Sequence, residues 1–307
     1  MKTMGISGVE LRGVELELGS RRIDNLEALA PLVGDRAEAI VKTTGIATRY
    51  AAADGESPLS LCCAAAERLI AKSGIAKSEF GAVVFVSFTA KSKMPALAAQ
   101  AQARLGLPES VAAFDLTLAC SGYVHGLYLA ASLARDLVCP VLLLDGDVQS
   151  DRIASDDYAT AAVLSDGGTA TIVAPRPDAP AWRFAFATFG AQGAALQLDE
   201  GGCIRMDGFG VFRFVAAEVT RFLKDFAPSA EAVLVPHQPN AYMVRELARS
   251  AGFAADRVLV SADRVGNLSS ASIPATAALA GGMPPCALLC GFGGGLAIAA
   301  AEIRSAE

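Results

Sequence analysis

Cys120 occupies a position at which a thiol turns into a nucleophile. Val111-Ala-Ala-Phe-Asp-Leu-Thr117 reads as a short buried strand, and Leu118-Ala-Cys-Ser-Gly-Tyr123 leads at once into the apolar, helix-spaced stretch Val124 to Leu137. The sulfur is thus expected at the N-terminal end of a buried helix, after a sharp turn that Gly122 helps to pack. Free N–H groups and the positive end of the helix dipole favour thiolate over thiol there. A sulfur so placed attacks acyl carbon with the help of a base. Two further residues join it as candidates: His237, at the end of the apolar strand Glu231–Gln238, and Asn267, in the turn before a helix that starts near Ser269. Taken singly, each has a plainer reading. A buried cysteine is usually a small hydrophobe, a lone histidine a hydrogen-bonded core residue, and an asparagine in such a turn an N-cap. His125 lies a helical turn or more past the thiol and reads as structural.

The elements that must position these residues are written twice. The Pro-dense stretch Ala174-Pro-Arg-Pro-Asp-Ala-Pro-Ala-Trp182 marks a connector. Before it come strand Gly81–Phe88, a helix over Pro95–Leu105, strand Val111–Leu116, the Cys120 helix, and strand Cys139–Asp145. After it come strand Glu231–Gln238, a helix over Ala241–Ser250, strand Arg257–Ser261, a helix from near Ser269, and strand Cys286–Cys290. Each half then closes with a Gly-rich turn into another strand, Ser165–Val173 and Gly291–Ile298. Alternating strands and helices imply βαβ units and a largely parallel sheet in each half. Two such sheets need helices on both faces, so an α/β/α/β/α sandwich of two duplicated halves, residues 1–174 and 175–307, is the expected fold. In a pseudo-twofold molecule, strand ends from both halves meet at one crevice, where Cys120 from the first half would face His237 and Asn267 from the second.

Composition excludes several classes. With 307 residues, 53% of them hydrophobic, and a mean hydropathy of +0.41, the chain has a sizeable core, yet its apolar runs are short and broken by Gly and Pro. None is long enough to cross a bilayer, and the N-terminus lacks the apolar region of an export signal. Seven scattered cysteines suit reduced thiols in a cytoplasm, and two histidines offer no zinc spacing. A net charge of −6 argues against a nucleic-acid surface.

Four motifs carry a resemblance. Asp115-Leu-Thr-Leu-Ala-Cys-Ser-Gly122, His237-Gln-Pro-Asn240, Gly266-Asn-Leu-Ser-Ser-Ala-Ser-Ile-Pro274 and Gly291-Phe-Gly-Gly-Gly-Leu296 resemble, in order, those of beta-ketoacyl-ACP synthase III in the thiolase superfamily. Thr43-Thr-Gly-Ile46, Arg49 and Met206-Asp-Gly-Phe-Gly-Val-Phe212 fit as well. The resemblance implies a thiolase-like α/β fold and a decarboxylative Claisen condensation of an acyl-CoA or acyl-ACP primer with malonyl-ACP. Cys120 would hold the acyl group, and the amides of Cys120 and Gly294 would form the oxyanion hole. His237 and Asn267 would each donate to the malonyl thioester oxygen as carbon dioxide leaves. Phe292 would pack near the sulfur, and Met94 would floor the acyl pocket across a homodimer interface, a flexible side chain that admits longer or branched acyl groups. Arg213, Arg245 and Arg249 would meet the acidic acyl carrier protein. No cofactor, metal, nucleic acid or membrane enters this scheme.

The turn Gly266-Asn267 separates subclasses. Thiolases carry His there and a second Cys in the C-terminal glycine loop, and elongating synthases carry two histidines; Cys290 stands just ahead of that loop and is expected to be buried and inert. Members primed by acetyl-CoA hold adenine between Trp and Arg, whereas this chain has Ala39 and Tyr158 at those places and its sole Trp182 elsewhere. That departure points to a specialised lipid or polyketide pathway as readily as to fatty-acid initiation. Two alternatives stand beside condensation: acyl transfer from Cys120 to an oxygen or nitrogen nucleophile, and a non-catalytic subunit that only binds partners.

Overall fold

Ala82-Val-Val-Phe-Val86 and Val141-Leu-Leu-Leu144 carry no polar side chain, so both faces of these strands need cover. Every one of these side chains is buried, in the middle of a sheet. The computed structural model describes residues 1–305. Its first half holds strands β1 (Met4–Ile6), β2 (Val9–Leu18), β3 (Arg21–Asp24), β4 (Thr48–Ala51), β5 (Ala82–Val86), β6 (Ala112–Leu116), β7 (Val141–Asp147) and β8 (Gly167–Pro175). Among them run α1 (Asn25–Val33), α2 (Arg36–Thr44), α3 (Pro58–Ser73), α4 (Leu97–Leu105), α5 (Gly122–Leu137) and α6 (Tyr158–Ala161). The second half holds β9 (Trp182–Thr188), β10 (Leu196–Leu198), β11 (Ile204–Met206), β12 (Val233–Pro236), β13 (Cys286–Gly293) and β14 (Ala297–Arg304). Its helices are α7 (Gly208–Phe214), α8 (Thr220–Phe226), α9 (Ala241–Ala251), α10 (Ala262–Val265) and α11 (Ser272–Leu279).

One sheet has the order β2-β8-β7-β5-β6, the other β1-β9-β14-β13-β12, so β2, β8, β7 and β5 correspond to β9, β14, β13 and β12. The two sheets sandwich α5 and α11: Val124, Leu127 and Ala131 of α5 and Ile273 of α11 share one core with Val84 and Leu143 of the first sheet and Val235, Leu289 and Ala301 of the second. Outside, α3 and α4 cover the first sheet, while α7, α8 and α9 cover the second. Five layers result. β1 departs from a split at 174/175, because it pairs antiparallel with β9 in the second sheet.

Two expectations need correction. The sheets are mixed rather than largely parallel: β5 runs parallel to β6 and β7, and β12 to β13, but β7–β8, β8–β2, β13–β14 and β14–β9 are antiparallel. The Gly-rich link from β13 to β14 shows why: Gly291–Gly293 are still strand, and the short turn that remains can make a hairpin but not a parallel crossover. The strand expected at Arg257–Ser261 shrinks to a single bridge between Leu234 and Val258. There the Gln238 side chain takes over from a ladder, donating to Leu259 O at 3.1 Å and accepting from Ser261 N at 3.0 Å.

Local chemistry explains several ends. Asp115 of β6 accepts from the N–H groups of Leu97 and Ala98, both at 2.7 Å, and so caps α4, which has no side-chain cap of its own. Asn240 does the same for α9 through Met243 N at 2.8 Å. Among the described residues no helix is long and apolar enough to cross a membrane, and no His, Cys, Asp and Glu cluster could hold a metal ion.

Candidate active site

Cys120 lies in the turn between β6 and α5, closed by Gly122 N donating to Ala119 O at 2.6 Å. The other half of the molecule presses directly on this turn. A Cβ added at Gly291 of β13 would fall 2.8 Å from Ser121 Cα, and one at Gly293 would fall 2.8 Å from Cys120 Cβ and 3.0 Å from its Sγ. Glycines are needed at both places because no side chain fits between strand and turn, and the φ of 148° at Gly293 is one that other residues rarely adopt. Sγ thereby comes under the influence of two backbone N–H groups, those of Cys120 itself and Gly294.

The thiol is protonated at rest. Burial, and then the negative charge of Asp147, push it up to about 12, against the lowering influence of those N–H groups and the Ser269 hydroxyl. The helix end favours the anion, as expected, but burial and Asp147 push the other way and prevail.

His237 follows β12 and continues its pairing through His237 N to Cys290 O at 2.8 Å. Its ring is buried and meets the Phe292 ring edge-on at 5.4 Å. Burial lowers its pKa to about 3, opposed by a hydrogen bond to the Ser269 backbone. The imidazole is neutral at pH 7, and its Nδ1 is sealed without a partner among the described residues.

Asn267 is fixed on three sides. Its N donates to Val163 O at 2.8 Å, and its O accepts from Ser165 N at 2.8 Å and Gln149 Nε2 at 2.9 Å. Its side-chain Oδ1 accepts from Ser269 N at 2.9 Å, which leaves Nδ2 as the end free to donate. Oδ1 thus closes a tight local turn instead of capping α11, which begins at Ser272. Cys120, Asn267, Ser269 and Gly294 line one cavity of about 300 Å³, whose far walls include Leu196 and Ile204.

Other candidates fall elsewhere. Phe292 packs on His237 and is absent from the cavity wall. Met94 is 87% exposed, in a loop off the cavity of its own chain. Arg213, Arg245 and Arg249 are exposed, on α7 and α9, but Arg249 is paired with Glu246 at 2.6 Å. Exposed Phe209 lies under Arg213, and exposed Tyr242 is on α9. His125 bonds Ser121 O at 2.9 Å and stacks on Phe186. All seven cysteines are free; Cys62, Cys63 and Cys290 are buried, and burial pushes the Cys290 thiol far up. Trp182 is core, donating to Arg304 O, whereas Tyr158 lies under the Arg36 guanidinium at 5.6 Å and Ala39 is exposed on α2.

Residues 114–193 match the family model of 3-oxoacyl-[acyl-carrier-protein] synthase III, and residues 224–305 match that of its C-terminal part. Beta-ketoacyl-[acyl-carrier-protein] synthase III of Rhizorhabdus wittichii is 32% identical over 315 residues, covering 95% of this chain and 98% of that one. The chain belongs to the synthase III family. A 3-oxoacyl-(acyl-carrier protein) synthase crystal structure from Burkholderia xenovorans LB400 matches with a TM-score of 0.93 at 28% identity, covering 99% of this chain and 96% of that one. The priming beta-ketosynthase of the R1128 polyketide pathway matches with a TM-score of 0.88 at 25% identity, over 98% and 97% of the two chains. Membership in synthase III makes the chain an acyl-transferring enzyme with a thiolase-like fold.

Within this synthase III frame, some site residues escaped the sequence. Ser269 is buried with φ 55°, left-handed for a residue with a side chain, and sits against Cys120, His237 and Asn267 at once. Asp147 is sealed behind it; one oxygen accepts from Ser87 Oγ, Phe88 N, Thr89 N and Thr89 Oγ1, and the other has no hydrogen-bond partner among the described residues. Two carboxylates, Asp145 and Asp147, closing an otherwise apolar run were a visible signal of a buried polar centre.

Proposed function

We propose that this enzyme condenses an acyl primer, carried as a thioester on coenzyme A or acyl carrier protein, with malonyl-ACP to give 3-oxoacyl-ACP and carbon dioxide. The observation that carries the reading is the setting of Cys120 Sγ between two backbone N–H groups, in a cavity shared with a donor-oriented Asn267 and with Ser269, behind which a neutral His237 lies off the cavity wall. Sγ adds to the primer carbonyl, the oxyanion rests on the N–H groups of Cys120 and Gly294, and the carrier thiol departs with the proton. Malonyl-ACP then loses carbon dioxide, and the enolate oxygen is held by Asn267 Nδ2 and a His237 N–H. Its carbon attacks the acyl carbon and releases Cys120. A neutral imidazole suits this task, because it donates a hydrogen bond without having to lose a charge.

The partner is an acyl carrier protein, approached over Arg213 and Arg245, with Arg249 restrained by Glu246. The enzyme is a cytoplasmic homodimer in this reading. Met94 then leaves its own surface to complete the partner's cavity, and Phe292 acts through His237 by holding the ring. Intact-mass measurement after exposure to acyl-CoA and acyl-ACP donors tests the first step, and release of carbon dioxide with a 3-oxoacyl product from malonyl-ACP tests the second. An acylated Cys120 that passes its acyl group to an alcohol or amine, without carbon dioxide, would replace condensation by simple transfer.

A further inference from the structure

The cavity wall carries no charged side chain and is largely apolar, with Phe88, Leu164, Leu198 and Met206 among its members. Besides Thr117, Gln197, Asn267 and Ser269, two polar side chains interrupt it: Gln149, just after β7, and Thr160, on α6. Gln149 is only 3% exposed and lines the cavity. Its Nε2 donates to Ser165 O at 2.7 Å and to Asn267 O at 2.9 Å. The reversed amide would set Oε1 against two carbonyl oxygens, so only one orientation is possible. Among the described residues Oε1 has no donor, and it belongs to a side chain that lines the cavity. Thr160 is buried on the same wall; its N donates to Asp157 Oδ1 at 2.9 Å, while its hydroxyl has no partner among the described residues.

We infer that the acyl group accepted here carries a hydroxyl, which donates to Gln149 Oε1 and accepts from the Thr160 hydroxyl. This rests on Cys120 being the acyl acceptor. A plain alkyl chain pressed onto Oε1 would strip its water and leave a buried acceptor unpaired, whereas a hydroxyl replaces that water. An ammonium would lack a carboxylate on this wall, and a carboxylate would lack a cation, so the neutral donor fits best.

The test compares butyryl-, 3-hydroxybutyryl- and 4-hydroxybutyryl-pantetheine, whose arm is common to coenzyme A and carrier protein, by the rate of mass gain at Cys120. One hydroxyacyl ester is expected to react on the order of tenfold faster than butyryl. Gln149→Met should bring the two within about threefold. Because Gln149 also braces two carbonyls, Thr160→Val gives a second reading that leaves those bonds alone, and it should narrow the same gap. Equal rates for all three esters in the wild type, or a full gap surviving both substitutions, overturn the inference. Failure of every ester on a Cys120 that iodoacetamide still alkylates is a separate result: it defeats the acyl-enzyme reading and this inference with it.

Discussion

Removing the Asn267 amide donor separates the two chemical steps. Asn267 Oδ1 holds Ser269 N at 2.9 Å, and in the proposed reaction Nδ2 is the end that donates to substrate. Asn267→Asp keeps the acceptor and the turn at Ser269 but sets an acidic group where the amide donor stood, so the thermal midpoint should fall as the buried carboxyl ionises. Asn267→Ala removes both and strands a buried N–H, with a loss of about 1–3 kcal/mol of stability. In either variant the enolate loses one of two donors, for which a loss of about 10²–10³ in the condensation rate, roughly 2.7–4 kcal/mol, is expected. Acylation of Cys120 draws on the N–H groups of Cys120 and Gly294, which Asn267→Ala leaves in place. Its rate, read by intact mass with a saturating acyl thioester, should fall by less than about tenfold, well short of the loss of one oxyanion donor. Carbon dioxide release from malonyl-ACP supplies the other rate. Equal losses in both steps, or condensation within about threefold of wild type in both variants, would refute the division of labour argued from the geometry.

Three further outcomes follow from the same contacts. Gly291→Ala drives a Cβ to 2.8 Å from Ser121 Cα, backbone that cannot swing away, so calorimetry should show a destabilisation of about 1–3 kcal/mol with loss of Cys120 acylation. With the Cys120 thiol near 12, its alkylation by iodoacetamide, followed by peptide mass, should climb about tenfold per pH unit from pH 7 to 10; a plateau near pH 7 would mean a resting thiolate. His237 is held neutral, its pKa lowered from 6.5 to about 3, so the unfolded chain binds its proton first as pH falls. Stability from this residue is whole above 6.5 and is lost progressively towards 3, and His237→Phe should flatten that part of a denaturant-midpoint profile.

The local parts of the site were legible because their causes are local. Cys120 could be placed from an apolar run, a small-residue turn and helical spacing, all within its own neighbourhood, and the paired order of elements put His237 and Asn267 at matching ends. What depends on distant chain was not legible. Strand direction follows from how long each link is, so the hairpin from β13 to β14 was hidden behind a glycine run. The thiol's charge follows from burial and from Asp147, on another strand. Gln149 bonds a carbonyl 118 residues away, and nothing in the composition of residues 148–165 announces it. Arg249 illustrates the opposite error: an arginine counted as free charge has a glutamate one helical turn before it.

The glycines of β13 against the Cys120 turn have a historical consequence. If Cys120 is the nucleophile proposed above, its turn in one half rests on bare backbone of the other, and a change to either half alone would disturb the chemistry. Inheritance would then act on the two repeats as a matched pair, and a chain severed at residues 176–181 should regain function only where both fragments are present together.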